Sequence, residues 1–211
     1  MTYEETIRRL SEGTQRIVRQ LVAAHEGGTL TASELDTLVL QVVQIATARG
    51  RDLGELKVRA YLELVTGEPV SMPPTPTPVG ETARLTRALR TIRASGLDSA
   101  MQLDRLAGNE PVSAANDSAM QAMTRSRRVK GWTRGLEGDA CELCQWWWRE
   151  GRVFRPEHPM PRHIGCMCDP VPVITETDNA QTARQAKLAR ARTGQRSRQA
   201  ARDDRRRKVD A

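Results

Sequence analysis

Aromatic residues are scarce: four Trp, two Tyr and one Phe in 211 residues, or 3%. That excludes a core built on large rings, and leaves Leu, Val, Ile, Ala and Met to fill any interior. Apolar residues make up 38% and charged ones 28%, wetter than an ordinary globular domain. Small packed units joined by exposed segments are expected, rather than one deep core. Long apolar runs are also missing. No stretch reaches the roughly 18 residues of a membrane span, so no membrane contact is expected. The first residues, MTYEETIRRLSEG, lack the apolar centre of a signal peptide. A chain made and kept in a reducing cytoplasm rarely uses structural disulfides, which bears on its four cysteines.

What is abundant is positive charge at one end. Residues 181–211 hold Arg184, Lys187, Arg190, Arg192, Arg196, Arg198, Arg202, Arg205, Arg206, Arg207 and Lys208 against Asp203, Asp204 and Asp210, a net of +8. The whole chain carries +7, so everything before residue 181 sums to −1. A near-neutral body with a cationic tail is suited to polyanions. Arginine side chains neutralise phosphates and release counterions, giving salt-sensitive affinity. Asp203-Asp204 and the lack of aromatics there argue against base-specific reading. The tail is therefore expected to contact double-stranded DNA non-specifically; the plainer reading is a solvated terminus with no partner.

Helical spacing is visible in residues 3–26, through Ile7, Leu10, Ile17, Leu21 and Ala24, until Gly27-Gly28 stops it. Thr31-Ala-Ser33-Glu34 offers caps for a second helix ending near Gly50. A third is expected over 52–66. Residues 69–79, PVSMPPTPTPV, are five-elevenths proline, which blocks helix and favours an extended spacer. Patterning resumes over 80–107, breaks in a loop around Gly108-Asn-Glu-Pro111, and continues as a helix over 112–128. From 129 the texture changes, with all four cysteines and five of the seven aromatics before residue 175. Short strands are expected near Trp132, at Arg152–Phe154 and at 168–174, with a helical turn through the tryptophans. The fold class is α+β: helical regions at 1–68 and 81–128 flank a Pro-rich linker at 69–80. A small Cys/His-stapled, β-containing module follows at 129–174, and a disordered or helical basic tail at 175–211.

The chemistry concentrates in that module. Cys141 and Cys144 form a C-x2-C; His163, Cys166 and Cys168 form H-x2-C-x-C eighteen residues later. A C-x2-C turn aims two thiolates at one point, one edge of a tetrahedral zinc site, and a downstream pair supplies the other edge. Five donors compete for four positions, and whether Cys166 or Cys168 is the fourth ligand stays open. In a regular strand those two would face opposite sides. A Gly- and Pro-rich segment of this size lacks a core of its own, and zinc binding contributes about 10–16 kcal/mol in such modules. Disulfides and unligated thiols are the competing readings. Catalytic zinc needs an open position and a nearby acid or base. Glu142, Glu150, Glu157 and His158 are near in sequence, yet none stands in an H-x-E or H-E-x-x-H frame. An HNH-type nuclease needs a second histidine in a ββα frame, which is not found. No enzyme activity is expected.

Gly131-Trp132, Gly138-Asp-Ala-Cys141-Glu-Leu-Cys144, Gly151-Arg-Val-Phe154, Pro161-Arg-His163-Ile-Gly-Cys166-Met-Cys168 and Pro170-Val-Pro-Val173 occur in that order. Together they resemble the signature of phage Mu F-like minor head proteins, over about a fifth of the chain. The resemblance implies a tailed-bacteriophage head morphogenesis protein, present in few copies inside the capsid of the virion and assembled in the host cytoplasm. It implies a portal protein, major capsid protein or scaffold as partner, and packaged DNA as surroundings. Some relatives carry protease or toxin domains; after 174 this chain shows only the basic tail. The alternative is a zinc-stabilised nucleic-acid-binding regulatory protein. Trp146, Trp147 and Trp148 fan over roughly 200° in a helical turn. Some are expected to cover the metal knuckle and at least one to serve an interface; the plainer reading packs all three inside the module.

Overall fold

The computed structural model describes residues 2–95, 98–138 and 140–174. The basic residues Arg184 to Lys208 lie outside them. Four long helices dominate: α1 (Tyr3–Glu26), α2 (Ala32–Thr66), α3 (Glu81–Ala94) and α4 (Ser99–Arg125). They lead into a small α+β part: β1 (Gly131–Gly135), α5 (Glu142–Trp148), a 3-10 turn at Arg149–Gly151, and β2 (Asp169–Val173).

Capping begins α1 and α2 alike. Thr2 and Thr31 each accept from the amide three residues on, while Glu5 and Glu34 reach back to the cap amide. Such reciprocal boxes satisfy two otherwise orphan donors. The buried stripe of α1 is Ile7, Ser11, Thr14 and Val18; Ile17, expected inside, is 45% exposed.

Two expected breaks are absent. The second and third helices are one, α2, which passes straight through Gly50 and Gly54. These glycines serve close approach, not termination. A Cβ at Gly50 would sit 2.1 Å from the Pro111 carbonyl oxygen, and one at Gly54 2.0 Å from that of Ala115. Helix α4 likewise runs unbroken through Gly108–Pro111, where a loop was expected. Gly108 lies against the Gln15 side chain of α1, and the Ser11 hydroxyl donates to its carbonyl at 2.9 Å. Packing on both neighbours holds the helix across a proline that removes one backbone donor. The actual break is between α3 and α4, where the Asp98 carboxylate caps the Met101 amide at 2.9 Å.

Residues 69–78 form neither helix nor strand between α2 and α3 and are held along the body. The Thr75 amide donates to Glu55 at 2.6 Å, and Arg125 donates to the Thr75 hydroxyl at 2.8 Å. The hydrophobic interior is divided. One cluster joins Val18, Leu35, Val39, Val43, Leu85, Leu89 and Leu103 between the long helices. Another joins Val58, Leu62, Ala119, Ala122 and Met123 of α2 and α4 to Val129, Trp132, Met160, Cys144, Cys166 and Cys168. The cysteine-bearing segment therefore shares its core with the helices.

Strands β1 and β2 pair antiparallel, Gly131 opposite Val173 and Arg134 opposite Pro170. Pro170 and Pro172 are tolerated because no strand among the described residues pairs with the other side of β2. On its other side β1 exchanges two backbone hydrogen bonds with Phe154, at 2.9 and 2.8 Å. The strand expected over Arg152–Phe154 is reduced to this one bridge.

Candidate metal centre

Three segments carry the donors. Cys141 is the N-cap of α5 and Cys144 lies in its first turn, so one helical turn presents both sulfurs to the same side. His163, Ile164, Gly165 and Cys166 form a tight turn. Gly165 adopts φ +81°, a left-handed conformation that glycine takes without steric cost, and the Cys166 amide donates to the His163 carbonyl at 3.2 Å. Regular strand begins only at Asp169. Cys166 and Cys168 thus escape strand alternation, and both sulfurs gather with that of Cys144.

The His163 Nε2 lies 3.2 Å from the Cys141 sulfur and 3.2 Å from the Cys144 sulfur. The Cys144 and Cys166 sulfurs are 3.3 Å apart. In a filled tetrahedral site the donor–donor edges are about 3.5–3.8 Å, from metal–ligand bonds of roughly 2.0–2.3 Å. These three edges are within a few tenths of an ångström of that, and the donors form two groups, Cys141, Cys144 and His163, and Cys144, Cys166 and Cys168, joined through Cys144. His163 Nδ1 lies 3.0 Å from the Ile164 carbonyl oxygen. That oxygen only accepts, so Nδ1 carries the hydrogen, and Nε2 presents its lone pair to the sulfurs. Histidine ligands of metals are commonly oriented this way. All four cysteines are free thiols; none is paired in a disulfide. Cys141, Cys144, His163 and Cys166 or Cys168 are positioned to bind a metal ion.

The thiols are unequal. The Cys144 amide facing its sulfur holds Cys141 below the ordinary thiol range. Burial pushes the Cys144 thiol up to about 12. A hydrogen bond from the Cys168 thiol lowers Cys166, and the same contact, together with burial, raises Cys168. Cys144 touches both halves of the site, and Cys166 and Cys168 both approach it. No carboxylate belongs to either donor group. His158 instead stacks on Phe154 at 4.8 Å, away from the sulfurs.

The helices hold this site in place. Asn116 of α4 donates to the Cys168 carbonyl at 3.1 Å while buried. Lys57 of α2 pairs with Asp169 and donates to the Pro170 carbonyl at 2.8 Å. Arg162, next to His163, donates to the Ser113 carbonyl at 2.7 Å and pairs with Asp117. Sequence reading missed these three anchors, because helical Asn and Lys and a loop Arg carry no local signal of a distant partner. The tryptophans divide three ways. Trp148 is buried and Trp146 is 63% exposed, with Arg149 over its ring. Trp147 is half-buried against His163 at 6.1 Å between ring centroids.

No family model, no curated protein and no solved structure matches this chain. No helix among the described residues is long and apolar enough to cross a membrane.

Proposed function

We propose that the chain is a minor head morphogenesis protein of a tailed bacteriophage. In this reading it acts inside the capsid near the portal, in procapsid assembly and in DNA packaging or ejection. The observation that carries the proposal is the ordered signature around Trp132, Cys141, Cys144, Phe154, His163, Cys166 and Cys168. Its parts, spread over some forty residues of sequence, converge on one strand-bounded site.

The ion is zinc, in a structural role. Three thiolates and one neutral imidazole suit its borderline-soft character, and such closed sites leave no position for a substrate. Cys141, Cys144, His163 and Cys166 hold it, and the Cys168 thiol donates a hydrogen bond to Cys166. The exposed Trp146 offers an apolar contact to a portal, capsid or scaffold protein. The tail from Arg184 to Lys208 contacts packaged DNA through its phosphates.

The test is direct. Deleting the coding segment from the phage genome that carries it is expected to yield heads that fail to fill or eject, and mass spectrometry is expected to find the chain in mature particles. Its absence from both procapsids and virions would refute the reading. For the tail, the full chain is expected to retain duplex DNA on filters near 50 mM salt and release it as salt rises. A chain ending at Ile174 that binds equally well would contradict that role.

A further inference from the structure

Arg134 is a buried cation with no buried anion to match it. It lies in β1 and is 2% exposed. Its Nη2 donates to the Pro161 carbonyl, while Nε and Nη1 have no hydrogen-bond partner. Among the described residues no carboxylate forms an ion pair with it, although eight such pairs exist elsewhere. An enclosed guanidinium keeps its charge, and enclosing a charge is costly unless something of opposite sign lies near.

Its surroundings lead to the metal site. Strand alternation puts Arg134 on the same face as Trp132, which shares a core cluster with Cys144, Cys166 and Cys168. The guanidinium carbon lies 5.3 Å from the Trp147 ring centroid, and that ring packs on His163. Pro161, which accepts its hydrogen bond, is two residues before His163. A divalent ion held by three thiolates and a neutral imidazole carries one net negative charge. The proposed zinc centre is therefore an anion, and its buried cysteines, Cys144 and Cys166, belong to the same interior as Trp132.

We infer that Arg134 is the internal counter-cation of the metal–thiolate centre, positioned by Trp147 and the Pro161 carbonyl, and that it favours the thiolate-bound state of the site. It touches no ligand sulfur in a hydrogen bond and acts through charge and through the His163-bearing segment. The inference rests on the reading of the cysteine cluster as a zinc site. Nothing in β1 signals this role in sequence, where Arg134 stands between Thr133 and Gly135.

The test compares zinc-loaded full-length wild type with R134M, R134K and C141S. Zinc transfer to a chromogenic chelator is measured, together with thermal unfolding of each chain stripped of metal. R134M is expected to hold zinc about 10–100-fold more weakly, the usual effect of losing an outer-shell partner. R134K, which keeps the charge without the planar fork, is expected to fall between. Stripped R134M is expected to melt no lower than stripped wild type, since it no longer encloses an uncompensated charge. R134M that holds zinc as tightly as wild type, while C141S does not, overturns this inference and leaves the metal site standing. Stripped R134M melting far below stripped wild type also overturns it, because the guanidinium would then be serving the fold alone. A wild type that takes up no zinc overturns the metal reading itself.

Discussion

Cys144 is the hinge of the site at the scale of single residues. Its sulfur touches both His163 and Cys166, and burial raises its thiol to about 12. Without metal it therefore keeps its proton throughout the neutral range. A metal must displace that proton, so affinity rises with pH, by about tenfold per pH unit for each proton released. Cys141 and Cys166, whose thiols are shifted below the ordinary range, add to the slope only below their own lowered pKa values. Competition titrations at several pH values are expected to show affinity falling as pH falls, more steeply at the acid end. A pH-independent affinity would contradict thiolate ligation. Cys144→Ser is expected to abolish retention, because it removes the sulfur common to both donor groups.

The elements owe their arrangement to close helix crossings. Gly50→Ala or Gly54→Ala forces a methyl to within 2.1 or 2.0 Å of an α4 carbonyl oxygen. Each is expected to cost about 2–4 kcal/mol in urea unfolding, as overpacking of a tight interface does. Gly13 is also within a helix but has nothing within 4 Å of its would-be Cβ. Gly13→Ala is expected to gain roughly 0.5–1 kcal/mol from helix propensity. The pair of results separates crossing glycines from incidental ones. The Lys57–Asp169 pair couples α2 to β2 with both side chains largely covered. Lys57→Met alone is expected to destabilise by about 3–5 kcal/mol by stranding the carboxylate. Lys57→Met with Asp169→Leu is expected to recover most of that loss; equal costs for single and double variants would show the pair to be incidental. These crossings also explain what sequence could not supply. A glycine that ends a helix and one that admits a neighbour look alike in a local window, so Gly50 and the Gly108–Pro111 stretch read as breaks. The capping box of Thr31 and Glu34 and the proline run were legible because their causes are local.

Across the whole molecule, the cysteine segment rests on the α2–α4 pair. In sequence it read as a module without a core of its own, stapled by its cysteines and histidine. In the structure Trp132, Val129 and Met160 join Val58, Leu62 and Met123 in one interior. The cluster of donor residues was legible, since C-x2-C and H-x2-C-x-C spacings bring thiols and an imidazole together locally. Their helical support was not, because it depends on contacts more than fifty residues away, such as Asn116 to Cys168. Metal removal is accordingly expected to act in part. The cluster of Val18, Val39, Leu85 and Leu89 contains no ligand, so far-UV helical signal should largely persist under chelation. The near-UV signal of Trp147 and Trp148, beside the site, should fall. Simultaneous loss of both signals would mean that the ion holds the entire fold.

Metal content is the property on which the cysteine site depends most directly. Elemental analysis of the purified full-length chain, paired with a thiol titration under native conditions, is expected to find a single bound zinc and thiols that react only after chelation, with Cys141→Ser losing the zinc. A metal-free chain whose four cysteines react freely, or are joined in disulfides, would contradict it.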